Sequence, residues 1–214
     1  MLPFVIVTIV ALAVVLYIEY RQTSNLALHA VAKAIASTGF IGAAIAAGAL
    51  DTIYGKTLFL ALAWCFVGDL LLVFKASRPA FMFGIAAFLM GHVGYIMVFR
   101  MRGVDLGAVL WSALAMSLVA FVIWRWLFPY LQGGMRAAVM IYIAVITFMV
   151  AFAVGTVVAT PAPLPLVAAI LFWLSDITVA RQRFVKPSFW NRALGLPLYY
   201  AAQFLFVGLL TELV

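Results

Sequence analysis

Eight apolar runs, each close to the length of a membrane-spanning helix, alternate with short polar breaks along the chain. The runs cover roughly residues 4–18, 30–50, 56–74, 80–99, 105–125, 136–158, 163–180 and 193–212. About twenty apolar residues cross the hydrocarbon layer as a helix, whereas membrane-spanning strands are shorter and alternate polar with apolar positions. The pattern therefore predicts an all-α polytopic membrane protein, a single domain over residues 1–214 with eight helices in one bundle.

The breaks between the runs are short and carry residues that end helices. They include Arg78-Pro79, Pro129, Gly133-Gly134 and Pro161-Ala162-Pro163. Because the loops are short, helices that follow one another should pack as antiparallel neighbours. The N-terminus lacks the positive region of a signal peptide, so we interpret the first run as a retained helix.

Composition supports a membrane protein and argues against several other classes. The chain is 69% hydrophobic and 9% charged, with a mean hydropathy of +1.25, too few charges to cover a soluble domain. The net charge of +7 does not indicate nucleic-acid binding, because the basic residues lie in short loops. The single Cys65 lies inside a run, which rules out an intrachain disulfide. We expect an integral protein of a bacterial inner (plasma) membrane.

The distribution of Lys and Arg predicts the orientation of the bundle. Loops after odd-numbered helices hold ten of them: Arg21, Lys33, Lys75, Arg78, Arg125, Arg136, Arg181, Arg183, Lys186 and Arg192. Loops after even-numbered helices hold three: Lys56, Arg100 and Arg102. Positive charge favours the cytoplasmic side. The odd loops should therefore be cytoplasmic, and both termini should lie on the opposite side.

Two aspartates lie inside apolar runs, where an ionisable group is costly and usually functional. Asp69 comes about six residues before Lys75, and Asp176 about five before Arg181, so both lie roughly 8–9 Å inside the cytoplasmic boundary. The third and seventh helices run in the same direction, which puts the two acids at one depth. A purely structural role, such as a buried pair with Lys33, stays an alternative.

Further polar residues recur at helical spacing. The fourth helix carries Phe88, His92, Tyr95 and Phe99 on one face, with Gly91 and Gly94 allowing close approach of a neighbour. The eighth carries Arg192, Leu196, Tyr199 and Gln203 on one face, with Tyr200 adjacent. Tyr142 and Met149 could line the same interior from the sixth helix. Each set has a plain alternative, interhelical hydrogen bonding or core packing.

The remaining charged residues have simpler interpretations. Glu19, Asp51, Asp105 and Glu212 come at helix ends, where we expect them to face water. The basic run of Arg181, Arg183, Lys186 and Arg192 sets topology, or alternatively binds a lipid phosphate near the acids.

Several chemistries do not fit these residues. Two His and one Cys make a closed metal site improbable, and no Gly-x-Ser-x-Gly nucleophile elbow is present. A retinal protein needs a lysine within a late helix, and the interiors of the seventh and eighth runs have none. We expect no metal and no cofactor.

Five motifs, in this order and spacing, resemble the YhhN-like, TMEM86-type lysoplasmalogenase family. They are residues 68–72 (GDLLL), 91–95 (GHVGY), 174–176 (LSD), 183–187 (RFVKP) and 199–203 (YYAAQ). The resemblance extends from about Lys33 to the end of the chain. Two positions depart from the family pattern: Ala34, where proline is common, and Ile177, where a small polar residue often follows the aspartate.

The resemblance implies an eight-helix enzyme that hydrolyses the vinyl ether bond of a lysoplasmalogen. The products are a fatty aldehyde and a glycerophospho-ethanolamine or -choline. Such chemistry needs one carboxylic acid to protonate the β-carbon and a second, ionised carboxylate to stabilise the cation or activate water. Asp69 and Asp176 suit these roles, and their assignment stays open.

The other candidates contact the substrate in this interpretation. Candidate partners for the reacting groups are His92, Tyr95, Tyr142, Tyr199, Tyr200 and Gln203, and candidates for the phosphate are Lys33, Arg183 and Lys186. The expected partners are a lysophospholipid substrate and membrane lipids, with no nucleic acid. Oligomeric state is not readable from the sequence. Two rival hypotheses remain: a proton-coupled transporter of lipids or small molecules, and a non-catalytic lipid-binding protein.

Overall fold

The computed structural model describes residues 1–21, 25–74, 77–160 and 162–212. Within these ranges the chain forms eight α-helices and no strand: α1 (Leu2–Arg21), α2 (Leu26–Ala46), α3 (Ile53–Leu71), α4 (Arg78–Arg102), α5 (Leu106–Leu127), α6 (Gly134–Ala159), α7 (Leu164–Ala180) and α8 (Phe189–Gly208). The all-α prediction with eight helices is confirmed. Each observed boundary lies within four residues of the predicted one. Lys75 and Pro161 lie outside the described residues.

The largest differences between predicted and observed helix starts are at α2 and α8, where a capping residue lies ahead of the apolar run. Asn25 accepts a hydrogen bond from the backbone N–H of Leu28 at the start of α2, and Ser188 accepts one from Trp190 at the start of α8. These bonds satisfy backbone donors that have no partner within the helix. Both helices therefore start four residues earlier than their apolar runs predict.

Seven helices of the described chain are long and apolar enough to cross a membrane. The exception is α8, which is long enough but carries Asn191, Arg192, Tyr199, Tyr200 and Gln203. These polar groups need partners away from lipid, and α8 accordingly packs against α1, α2, α3 and α7. The most polar helix therefore takes a central position in the bundle.

Most sequential helices pack against each other as expected, but α4 and α5 depart from the pattern. Helix α4 packs extensively on α3 and α6, whereas the main partner of α5 is α6. The start of α5 is fixed to α6 by a 3.0 Å hydrogen bond from the Asp105 N–H to the Gly155 carbonyl. A Cβ at Gly155 would meet Val109 at 2.4 Å, so only glycine permits this contact.

Close approach of α3 and α4 agrees with the prediction from the glycines of the fourth helix. A Cβ built on Gly91 would meet the Cys65 sulfur at 2.6 Å, and one on Gly94 would meet the Ala61 Cβ at 2.7 Å. Because glycine has no Cβ, the backbones of α3 and α4 pack directly against each other at these two positions. Asp69 and His92, one on each of these helices, are thereby held at a fixed separation.

Two charged residues do not lie where the sequence placed them. Lys33, which we assigned to the loop after the first helix, lies inside α2 and is buried. Arg192, which we also counted with a loop, lies in the first turn of α8. Both face the interior because each has a carboxylate to contact there.

Candidate active site

Asp69 is buried near the end of α3, with 1% of its surface exposed. Among the described residues it contacts three donors from two other helices. The Lys33 ammonium lies 3.1 Å from Oδ1, and the hydroxyls of Ser37 and Tyr199 donate to Oδ2 at 2.7 and 2.6 Å. Asp69 thus lies against one cation and accepts from two hydroxyls, the donor types that satisfy a buried carboxyl group.

Asp176, near the end of α7, has a different set of partners. The Tyr142 hydroxyl donates to its Oδ2 at 2.8 Å, and the Nε2 atom of His92 lies 3.4 Å from the same oxygen. Its side chain keeps 16% exposure. No Lys or Arg pairs with this carboxylate among the residues that the structure describes.

The imidazole of His92 is fixed from its other side. Its Nδ1 lies 2.6 Å from the Phe88 carbonyl oxygen, and since a carbonyl only accepts, Nδ1 must carry a hydrogen. In the neutral ring, Nε2 is then a bare acceptor facing Asp176. At 3.4 Å the two atoms are in contact, but Nε2 makes no hydrogen bond to any residue that the structure describes.

Both aspartates line one cavity, in the half of the bundle nearest the loops after odd-numbered helices. The cavity has an empty volume of about 1100 Å³, which includes its open mouth. The centres of water molecules fit into about 110 Å³ of this volume. Polar residues on its wall are Lys33, Asp69, Tyr142, Ser175, Asp176, Thr178, Gln182, Asn191, Arg192 and Tyr199. The rest of the wall is mostly aliphatic and aromatic, a composition typical of small-molecule sites.

The remaining polar candidates fall into two groups. Tyr200 reaches the site indirectly, through a 3.1 Å hydrogen bond between its hydroxyl and that of Ser37. Tyr95 and Gln203 form a separate buried pair, in which the Tyr95 hydroxyl donates to Gln203 Oε1 at 2.5 Å. Tyr95 also stacks on Phe206. Neither member of the Tyr95–Gln203 pair lines the cavity.

The two basic candidates of the α7–α8 loop lie outside the cavity wall. Arg183 is exposed and its guanidinium lies 4.1 Å from the centre of the Phe81 ring, while Lys186 is exposed at the end of a short π-helical turn, Arg181–Val185. Asn191 fixes this loop by accepting from Arg181 and donating to Gln182 and to the Lys186 carbonyl.

Two contributors were not identified from the sequence. Ser37 follows Lys33 by one helical turn on α2, a spacing that could have indicated it. Glu19 does not simply face water as expected: it lies 3.4 Å from His29 Nε2 and 3.9 Å from Arg192 Nε. Both partners come from other helices, which sequence spacing does not predict.

The polar side chains of the site are of the types that donate and accept protons, rather than a set of metal ligands. In the described part of the chain, no three His, Cys, Asp or Glu side chains are grouped as metal ligands would be. Two carboxyl groups with unlike partners line one largely apolar cavity, and the His92 imidazole contacts one of them from outside the cavity wall.

Comparison with known proteins identifies the family. The chain is 31% identical over 154 residues to lysoplasmalogenase TMEM86A of Bos taurus, and 30% identical over 154 residues to lysoplasmalogenase TMEM86A of Homo sapiens. Each match covers 69% of this chain and 62% of the relative, so the chain spans less than two thirds of their length. No solved structure matches it. The family profile of YhhN matches residues 28–210, a stretch that contains both aspartates and every cavity-lining residue, and this chain therefore belongs to the YhhN family.

Proposed function

We propose that the protein is a membrane-embedded hydrolase that cleaves the vinyl ether bond of lysoplasmalogens. The observation that carries the proposal is the pair of aspartates with unlike partners on the wall of one cavity. The names of the TMEM86A relatives support the reaction. The apolar wall between α4, α5, α6 and α7 suits an alkenyl chain, with the headgroup toward the loops.

The unlike environments support a division of roles. Asp176 carries a proton and transfers it to the β-carbon of the vinyl ether, and the π electrons of the C=C bond form the new C–H bond, while His92, 3.4 Å from Asp176 Oδ2, positions the carboxyl. The α-carbon is left as an oxocarbenium ion. Asp69 remains ionised beside Lys33, and its negative charge opposes the positive charge that develops.

Water completes the reaction at the α-carbon. A carboxylate offers about four lone-pair sites, and the described donors to Asp69 leave one for a water molecule. As this water adds, its proton passes to Asp69. The hemiacetal collapses as Asp69 gives that proton to the ether oxygen and the hemiacetal hydroxyl gives its proton to Asp176, which restores both aspartates to their starting states. The net change consumes one water and releases a fatty aldehyde and the glycerophospho alcohol. Tyr142 and Tyr199 orient the two carboxylates.

The test is aldehyde release from a lysoplasmenyl lipid by purified protein in detergent, followed by mass spectrometry. We expect loss of the lysolipid and appearance of its glycerophospho product, and a drop of about 10²- to 10⁴-fold for Asp176→Asn. Retention of intact lysolipid by the wild type contradicts the proposal and favours a transporter or lipid-binding protein. Near wild-type release by Asp69→Asn or Asp176→Asn removes that residue from the mechanism.

The cellular setting also belongs to the proposal. Placement in a bacterial inner membrane stays a prediction, as does the cytoplasmic side of the odd-numbered loops. If that orientation holds, the cavity mouth faces the cytoplasm, because the wall residues Gln182, Asn191 and Arg192 lie next to the α7–α8 loop.

A further inference from the structure

Arg192 is a cationic residue of the cavity wall that takes no part in the proposed reaction steps. Its Nε atom is buried and has no hydrogen-bond partner in the described part of the chain. The nearest carboxylate oxygen, Glu19 Oε1, lies 3.9 Å away, too far for a hydrogen bond. A guanidinium in an apolar setting is stabilised by an anion, such as a carboxylate or a phosphate, that accepts two of its N–H groups.

Charge balance on the wall points to the same conclusion. The charged side chains that line the cavity are Lys33, Asp69, Asp176 and Arg192. Lys33 offsets Asp69 at 3.1 Å, and in the proposed function Asp176 carries a proton and no charge. Arg192 has its ion-pair partner, Glu19, outside the cavity lining, so it is the cation of the described wall with no anion inside the cavity.

We propose that Arg192 binds the phosphodiester of the substrate, so that the site selects glycerophospholipids over uncharged vinyl ethers. This inference rests on the proposed function. It assigns the phosphate to Arg192, which lines the cavity, in preference to Arg183 and Lys186, which do not.

The spacing along α8 fits one substrate molecule. Arg192 precedes Tyr199, the residue bonded to Asp69, by seven positions, or about 10 Å along the helix axis. The phosphorus of a glycerophospholipid is five bonds from its first ether oxygen, a distance of about 6 Å at ordinary bond lengths. The reacting carbons extend beyond that oxygen. A phosphate at Arg192 therefore places the vinyl ether beside the carboxylates.

The experiment compares two substrates that differ in the phosphate: a lysoplasmenyl-ethanolamine and the matching 1-alkenylglycerol, which carries no phosphate. Each is given to the wild type, Arg192→Gln, Arg192→Lys and the matched control Arg78→Gln. Arg78 is an exposed arginine at the same end of the bundle and does not line the cavity. Aldehyde release yields kcat and KM for each pair.

We expect Arg192→Gln to raise KM for the phospholipid about 10- to 100-fold, the loss typical of a charged hydrogen bond. Its kcat/KM for the alkenylglycerol should stay within about twofold of the wild type, and Arg192→Lys should fall between. Equal losses on both substrates overturn the inference, because they indicate a structural role or a phosphate from another lipid. A KM of Arg192→Gln that is unchanged for both the phospholipid and the alkenylglycerol also overturns the inference. If the wild type cleaves neither substrate, the proposed function itself fails.

Discussion

At Asp69, the carboxylate and the Lys33 ammonium are both withdrawn from water. Removing two charges from water costs several kcal/mol for each ion, and their attraction repays this only when hydrogen bonds satisfy the remaining sites. Ser37 and Tyr199 supply those bonds. The group is stable as a set, and removal of one charge leaves the other buried without compensation.

This coupling predicts non-additive stability. Lys33→Met should destabilise the protein by about 3–5 kcal/mol, whereas the double variant Lys33→Met with Asp69→Asn should recover most of that loss because no charge remains unpaired. The measurement is the thermal unfolding midpoint in one detergent for both single variants and the double. Additive losses in this cycle would show that Lys33 and Asp69 do not stabilise each other.

His92 and Tyr95 lie on one face of α4, yet they should respond differently to substitution. His92 contacts Asp176, so His92→Gln should lower kcat by about 10²- to 10⁴-fold with a smaller change in KM. Tyr95→Phe removes the hydrogen bonds of the Tyr95 hydroxyl to Gln203 and Cys65, neither of which lines the cavity. It should cost about 1 kcal/mol of stability and leave kcat within a few-fold of the wild type. A larger kcat loss for Tyr95→Phe contradicts the separation of the two clusters.

At the scale of elements, the contact between α3 and α4 sets the distance between the two halves of the site. Gly94→Ala would push a Cβ against the Ala61 Cβ at 2.7 Å and its Cα at 3.1 Å, and backbone atoms cannot move away as a flexible side chain can. We expect lower stability and lower activity together, by about 1–3 kcal/mol in stability.

Gly134→Ala provides the matched control. It lies at the start of α6 with nothing within 4 Å of the added Cβ, so the change should be neutral or stabilising by about 0.5–1 kcal/mol. Both variants are compared by thermal unfolding in detergent and by aldehyde release. If Gly94→Ala behaves like Gly134→Ala, close packing of α3 on α4 does not position the site.

The same helices show which features of the fold and the site can be predicted from the sequence and which cannot. Apolar runs predicted the helices because lipid demands about twenty such residues in each, and embedded polar residues identified Asp69, Asp176, His92 and Tyr199. Side-chain partners across helices were not predictable. Helical spacing put Tyr95 on the same face as His92, and neither residue lines the cavity; His92 contacts Asp176, whereas Tyr95 contacts Gln203.

For the whole molecule, the position of α8 follows from its polarity. It contacts four helices. Its Tyr199 donates a hydrogen bond to Asp69, and its Tyr200 is hydrogen-bonded to Ser37. Its Arg192 faces Glu19. By contrast, α5 is among the most exposed helices, with Trp111 72% exposed, and is suited to face lipid. The bundle thus places its polar helix inside and an apolar one outside, the arrangement that a hydrocarbon solvent requires.

The orientation of this bundle is testable because Cys65, the single cysteine of the sequence, is buried. We expect Pro187→Cys, in the exposed α7–α8 loop, to react with a membrane-impermeant maleimide only after intact cells are permeabilised. Asp51→Cys, exposed in the α2–α3 loop, should react before permeabilisation. The physical reason is the excess of basic residues near the odd-numbered loops, eight against three once Lys33 and Arg192, which lie inside helices, are left out, and this excess retains those loops on the cytoplasmic side. The reverse labelling pattern would move the cavity mouth to the opposite face of the membrane, and a substrate delivered from outside would then reach Arg192 first.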